Sequence, residues 1–187
     1  MDIKFSAFIA TSFDGFIARL NGKLDWLNEA AGEDKSEDYG YQQFVASVDC
    51  IVLGRNSFEK VAAFSQWPYE KTPVIVLSRH LKSIPPALED KASLFSGEVE
   101  LLAVELQSRG FKRVYVDGGA TIQSFIRAEL LDDITVTQIP VLLGKGIPLF
   151  AEVAKDVKLK LLRSQAYASG FVQSSYQILR YAAKYFD

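Results

Sequence analysis

Thiol, imidazole and zinc chemistry have little to work with here: the 187 residues include one cysteine, Cys50, one histidine, His80, and one methionine. No disulfide framework is possible with one thiol, which fits a reducing compartment and makes the cytoplasm the expected location. His80 has no cysteine or second histidine to share a metal with and reads as a loop residue, while Cys50 lies in an apolar run and reads as inert core. A net charge of −2 offers no basic footprint for a nucleic acid. No apolar run approaches the roughly 18 residues of a membrane span, and Met1 to Phe13 lacks the apolar core of a signal peptide. Repeats, low-complexity tracts and linkers are missing as well. With 49% hydrophobic and 24% charged residues, the chain is expected to form one domain over residues 1–187. G-x-x-x-x-G-K-[ST] and G-x-G-x-x-G after a first strand are absent, so neither a P-loop NTPase nor the usual dinucleotide fold is supported. H-x-E with C-x-x-C is absent too, which leaves out a zinc deaminase.

What is present centres on Arg113-Val114-Tyr115-Val116-Asp117-Gly118-Gly119-Ala120-Thr121-Ile122. A β-rich apolar run meets two glycines and then an amphipathic segment from Thr121 to Leu130, so the pattern predicts strand, tight turn and helix. Glycines let the backbone approach a ligand closely, and the free N–H groups of a helix start attract an anion. Equally, such a turn serves simply to pack helix on sheet.

Along the chain, Ile3 to Ala10 reads as a central strand, followed by turns at Asp14-Gly15 and Asn21-Gly22 around an extended Phe16-Ile17-Ala18. Leu24 to Leu27 suits a helical turn, Gly32 to Gly40 an exposed loop, and Tyr41 to Val48 a helix leading into strand Cys50 to Leu53. Arg55 to Val61 then starts a helix directly after Gly54, and Pro73 to Leu77 is a third strand ending at Ser78-Arg79-His80. Ala92 to Phe95 is a short strand, and Glu98 to Arg109 a helix with Ser96 as N-cap and Gly110 at its end. Ile134 to Pro140 alternates like a strand, Leu143 to Pro148 is a loop, and Leu159 to Tyr167 with Phe171 to Arg180 forms a hairpin. The expected fold is a three-layer α/β/α domain, its mixed sheet mostly parallel with an antiparallel C-terminal hairpin.

Open sheets of this kind bind ligands beyond the carboxyl ends of their strands. Leu53-Gly54-Arg55, Leu77-Ser78-Arg79 and Val116-Asp117-Gly118-Gly119 are turns of that kind. Two guanidinium groups and a Gly-Gly turn suit a ligand with several phosphates. Trp26, Trp67 and Tyr69 are aromatic residues of loops or short segments, where such side chains mostly pack.

Four motifs in this order resemble the dihydrofolate reductase superfamily: Ala10-Thr11-Ser12-Phe13-Asp14-Gly15-Phe16-Ile17-Ala18, Val52-Leu53-Gly54-Arg55-Asn56-Ser57-Phe58-Glu59, Val76-Leu77-Ser78-Arg79 and Tyr115-Val116-Asp117-Gly118-Gly119-Ala120. Within it, Ser12-x-Asp14-Gly15 and Pro140-Val141-Leu142-Leu143-Gly144-x-Gly146 are similar to the C-terminal reductase domain of the bacterial bifunctional riboflavin-biosynthesis enzyme. The resemblance implies NADPH as cofactor. Gly54, Arg55, Asn56 and Ser57 would lie near its 2′-phosphate and pyrophosphate, Leu77, Ser78 and Arg79 near the adenosine, and Gly118, Gly119, Ala120, Thr121 and Ile122 under the pyrophosphate. Ala10 and Ile17 would flank the nicotinamide. Ser12, Asp14, Phe44 and Gly144 would meet a small-molecule substrate, with Asp14 as the catalytic residue. True dihydrofolate reductases carry a helix carboxylate four residues before a Phe; here that position before Phe44 is Gly40, with acids only at Glu37 and Asp38, which speaks against folate. A pterin reductase and a nucleotide-binding module without catalysis are the alternatives. The long terminal strands lead us to expect a homodimer.

Overall fold

A computed structural model describes residues 3–30, 37–70 and 72–180. The expected loop from Gly32 to Gly40 therefore lies partly outside the described residues. Among those described, the strands are β1 (Lys4–Ser12), β2 (Phe16–Ala18), β3 (Cys50–Gly54), β4 (Val74–Leu77), β5 (Ala92–Phe95), β6 (Arg113–Asp117), β7 (Leu131–Ile139), β8 (Ile147–Pro148), β9 (Lys158–Ala166) and β10 (Val172–Leu179). The α-helices are α1 (Asp25–Ala30), α2 (Tyr41–Ala46), α3 (Arg55–Ala62), α4 (Val99–Ser108) and α5 (Gly119–Arg127).

The main sheet has the order β5-β4-β3-β6-β1-β7-β10-β9. From β5 to β7 every pairing is parallel, whereas β10 runs antiparallel to both β7 and β9. Central strands such as Cys50–Gly54 and Val74–Leu77 are nearly uniform apolar runs because both faces are covered. One face packs under α4 and α5 through Phe5, Val52, Val114, Leu102, Leu106 and Phe125, with the Phe5 and Phe125 rings 5.0 Å apart. The other packs under α2 and α3 through Phe44, Phe58, Val61, Ile51, Val76 and Tyr115. Each such large apolar side chain is worth about 1.5–3 kcal/mol on burial. A third, smaller cluster joins Trp26 of α1 to Ile139, Phe171 and Tyr39.

Several boundaries differ from the sequence expectation. The first strand continues through Thr11 and Ser12, which pair with Gln138 and Ile139, so ladder bonds override their turn propensity. The strand expected from Ile134 begins at Leu131, because Asp132 and Asp133 find partners inside the sheet: Phe5 N–H donates to Asp132 Oδ2 at 2.8 Å, and Lys4 Nζ lies 2.6 Å from Asp133 Oδ2. Helix α5 starts at Gly119 rather than Thr121. Ser96 is not the N-cap of α4: Glu98 holds that position, and Ser96 lies two residues before it. Gly110 does end that helix, with φ +87°, its N–H bonded to Gln107 and that of Phe111 to Leu106. That is a Schellman motif. The Leu143 to Pro148 loop also contains β8, which pairs antiparallel with β2 in a separate two-stranded ribbon.

Candidate active site

The sheet order sets the carboxyl ends of β4, β3, β6 and β1 side by side, at strand spacings of about 4.8 Å. Between β1 and β6 the ladder stops early: Lys4 to Ser6 pair with Arg113 to Tyr115, after which β1 continues only with β7 and β6 only with β3. The two strands therefore part, leaving Ile9 and Ala10 partly exposed at the mouth of a cleft. Tyr115 bridges its base, its hydroxyl donating to the Phe8 carbonyl at 3.0 Å.

Two helix starts line the far wall. Gly54 precedes α3 and Gly118 precedes α5, and neither helix has a side-chain cap on its first N–H groups. Those groups are free to meet an anion. The turns are packed so closely that a Cβ on Gly54 would fall 2.6 Å from Thr121 Oγ1, and one on Gly118 2.7 Å from Ser57 Oγ. Gly118 adopts φ +97°, a region costly for any side chain, whereas Gly119 is an ordinary helical residue. Gly119 matters for space instead, since a Cβ there would lie 2.4 Å from Ile17 Cδ1. Ile17 thus rests on the start of α5, and Gln123 Nε2 holds the β8 segment nearby by donating to the Leu149 carbonyl at 3.0 Å. Ala120, Thr121 and Ile122 complete the first turn, with Thr121 and Ile122 buried.

On the opposite side, Asp14 ties two loops together. Ser12 Oγ donates to its Oδ1 at 2.6 Å, and the Leu143 and Gly144 N–H groups donate to Oδ1 and Oδ2 at 3.1 and 2.7 Å. The Ser12 hydrogen bond, seconded by the Gly144 and Leu143 N–H groups, holds this carboxyl below its usual range, so Asp14 is an anion at neutral pH. Ser12 itself is buried and accepts from the Phe16 N–H at 2.9 Å.

At the adenosine side proposed from the sequence, Leu77 ends β4 and Ser78 is buried, its hydroxyl accepting the His80 and Leu81 N–H groups at 3.2 and 3.0 Å. Arg79 pairs with Glu98, and Arg55 Nε lies 3.9 Å from Glu59 Oε1. Asn56 is exposed, and Ser57 half-buried. Phe44, by contrast, sits in the core against Phe8 and Tyr115, with ring centroids 5.0 Å away in both cases. Asp38 is spent on the start of α2, accepting the Gly40 and Gln42 N–H groups at 2.9 and 2.8 Å, and Glu37 accepts that of Tyr39 at 2.7 Å. Trp67 and Tyr69 pack beside Phe58, Trp26 is buried and His80 exposed. Burial pushes the Cys50 thiol up to about 12, as suits an unreactive core residue. Among the described residues no cluster of His, Cys, Asp and Glu is arranged to hold a metal ion, and no helix is long and apolar enough to cross a membrane.

One group escaped the sequence reading. Burial raises the carboxyl of Asp117, the last residue of β6, half-buried behind the Gly118 turn, and outweighs the hydrogen bonds from the Gly118 N–H and Ser57 and the charge of Lys60, which favour its anion. Tyr115, Tyr41 and Tyr69 continue the network, and burial raises all three phenols. The available signal was an acid at the end of an apolar strand directly before two glycines.

A sheet of this order, with its C-terminal antiparallel hairpin and β1 parting from β6, defines the dihydrofolate reductase-like fold. The chain belongs to the RibD C-terminal domain family, whose profile matches residues 4–173. It is 34% identical over 164 residues to the uncharacterized protein YwjB of Bacillus subtilis, covering 86% of this chain and 90% of that one. A candidate riboflavin biosynthesis protein from a Shewanella species shares 37% identity and superposes with a TM-score of 0.88 over 95% of this chain and 100% of that one. The Thermotoga maritima diaminohydroxyphosphoribosylaminopyrimidine deaminase/5-amino-6-(5-phosphoribosylamino)uracil reductase shares the fold at 14% identity and TM-score 0.73, covering 95% of this chain and 57% of that longer one.

Proposed function

We propose that the protein is an NADPH-dependent reductase of a small heterocyclic substrate, of the 5-amino-6-(5-phosphoribosylamino)uracil class. The parting of β1 from β6 beside two uncapped helix starts carries this reading, because it places an open slot next to a ready anion cradle. The turns fit a dinucleotide: Gly54 and Gly118 let the starts of α3 and α5 pack against each other, where Cβ atoms would crowd Thr121 and Ser57, and Arg55 and Arg79 stand just past the ends of adjacent strands. In this reading the N–H groups of Gly119, Ala120 and Thr121 hold the pyrophosphate, Gly54 to Ser57 and Leu77 to Arg79 hold the adenosine end, and Ala10 and Ile17 flank the nicotinamide. When bound, the cofactor supplies the hydride. The protein orients the acceptor carbon and excludes water.

Asp14, ionised, accepts a hydrogen bond from a substrate N–H or hydroxyl rather than donating a proton, and Ser12 and Gly144 hold it in place. Among the described residues a pterin ring finds no free carboxylate on the α2 side, where Asp38 and Glu37 are already bonded to backbone N–H groups. NADPH consumption against ribosylamino-pyrimidines, dihydrofolate and dihydropterins tests the reading. Turnover of a ribosylamino-pyrimidine supports it, turnover of the folates or pterins alone overturns the substrate class, and NADPH binding without any turnover assigns a nucleotide-binding module.

A further inference from the structure

Arg55, assigned to the 2′-phosphate, and Arg79, at the adenosine end, each stand beside a carboxylate. Arg79 leaves β4 on a backbone fixed by the Ser78 hydroxyl, which accepts two N–H groups, and by the Ser78 N–H, which donates to the Phe95 carbonyl at the end of β5 at 3.0 Å. Glu98, three residues beyond Phe95, stands at the N-cap position of α4 without capping it, and its carboxylate pairs with the Arg79 guanidinium. Arg55 has Glu59 at 3.9 Å one helical turn away. Each guanidinium charge is thus offset by a neighbouring carboxylate, so these side chains add little net positive charge to what the helix starts already present. Both Arg79 and Glu98 are well exposed, at 63% and 66%, so their pairing is weak, screened by salt and free to exchange partners.

We infer that Glu98 is a cofactor-selectivity residue that lowers the preference for NADPH over NADH. This rests on the dinucleotide reading above. A 2′-phosphate competes with Glu98 for Arg79 and is repelled by it, whereas a ribose 2′-hydroxyl can donate to the same carboxylate, the device by which an acid at a strand end recognises the unphosphorylated cofactor. Arg79 alone would select for NADPH; Arg79 with Glu98 tolerates both.

Calorimetric titration of NADPH and NADH into the wild-type protein, Glu98→Gln, Arg79→Ala and the double variant tests this without reference to turnover. Glu98→Gln, near-isosteric and exposed, should tighten NADPH about threefold to tenfold while leaving NADH unchanged or weaker, and the gain should shrink in about 1 M salt. In the Arg79→Ala background the same change should gain less for NADPH. A ratio of affinities that ignores Glu98, or that moves toward NADH when the charge is removed, overturns the selectivity role while leaving the cofactor reading standing. A wild-type protein that binds neither dinucleotide overturns both.

Discussion

Two carboxylates at or just past the ends of the neighbouring strands β1 and β6 are pushed in opposite directions, and that difference separates their roles. Asp14 is held ionised by Ser12 and the Gly144 and Leu143 N–H groups. With its folded pKa below the ordinary 3.8, its loop-tying contribution is fully present above that value and is lost only as pH falls through the lowered one. Asp14→Asn, which removes an ionised acceptor, should leave NADPH affinity within a few-fold and lower turnover by roughly 10–10², the range of a lost hydrogen bond to a charged group. Asp38→Asn, which touches only the start of α2, should leave turnover nearly unchanged, and steady-state kinetics of both variants would decide. Asp117 is the reverse case, its carboxyl raised above 3.8 by burial. The folded state then holds a proton that the unfolded chain releases, so stability falls as pH rises from 3.8 through the raised value and stays at that lower level above it. Asp117→Asn, which mimics the protonated form, should raise the melting temperature by a few degrees at pH 7 but not at pH 3.5. A pH series of thermal melts would show it, and an advantage equal at both pH values would refute it.

At the scale of elements, the site is a meeting of two βα turns. β3 and β6 are neighbours, so the helices that follow them, α3 and α5, begin side by side, and a Cβ at Gly54 would crowd Thr121 while one at Gly118 would crowd Ser57 on a backbone of positive φ. Arg55 is the first residue of α3 and follows Gly54 directly. Arg55→Ala should weaken NADPH more than NADH by on the order of 1–3 kcal/mol, the range of a lost charge-assisted contact. Fluorescence titration with both cofactors measures it, and equal losses would remove Arg55 from the 2′-phosphate.

For the whole molecule, the terminal hairpin extends the sheet past its helical cover. On one face of it Leu159 pairs with Ile178, Leu161 with Tyr176 and Ala166 with Val172, and Leu159, Leu161 and Val172 are 45%, 54% and 40% exposed. The other face carries Lys158, Lys160, Arg163 and Gln165. We expect the apolar face to be covered by the same face of a second copy in a homodimer. Leu159→Lys with Leu161→Lys should then shift the mass measured by light scattering from dimer to monomer without unfolding the protein, and a wild-type monomer would refute the expectation.

The sequence by itself determined the alternation of strand and helix, the glycine-marked strand ends and the basic residues beside them, because apolar period and turn chemistry are local properties of the chain. It also marked Cys50 as core and Gly110 as a helix end. Boundaries set by pairing escaped it: Thr11, Ser12, Asp132 and Asp133 look like turn residues until ladder partners, Phe5 and Lys4 are brought to them. Only the tertiary structure decided that β6 returns between β3 and β1 and then parts from β1, which is what opens the cleft. It decided, too, that Asp117 shares a buried network with Tyr115, Tyr41 and Tyr69, and that Glu98 stands against Arg79. Such neighbours are far apart in sequence, and a carboxylate's burial and charge partners depend on which strands the folded sheet sets side by side.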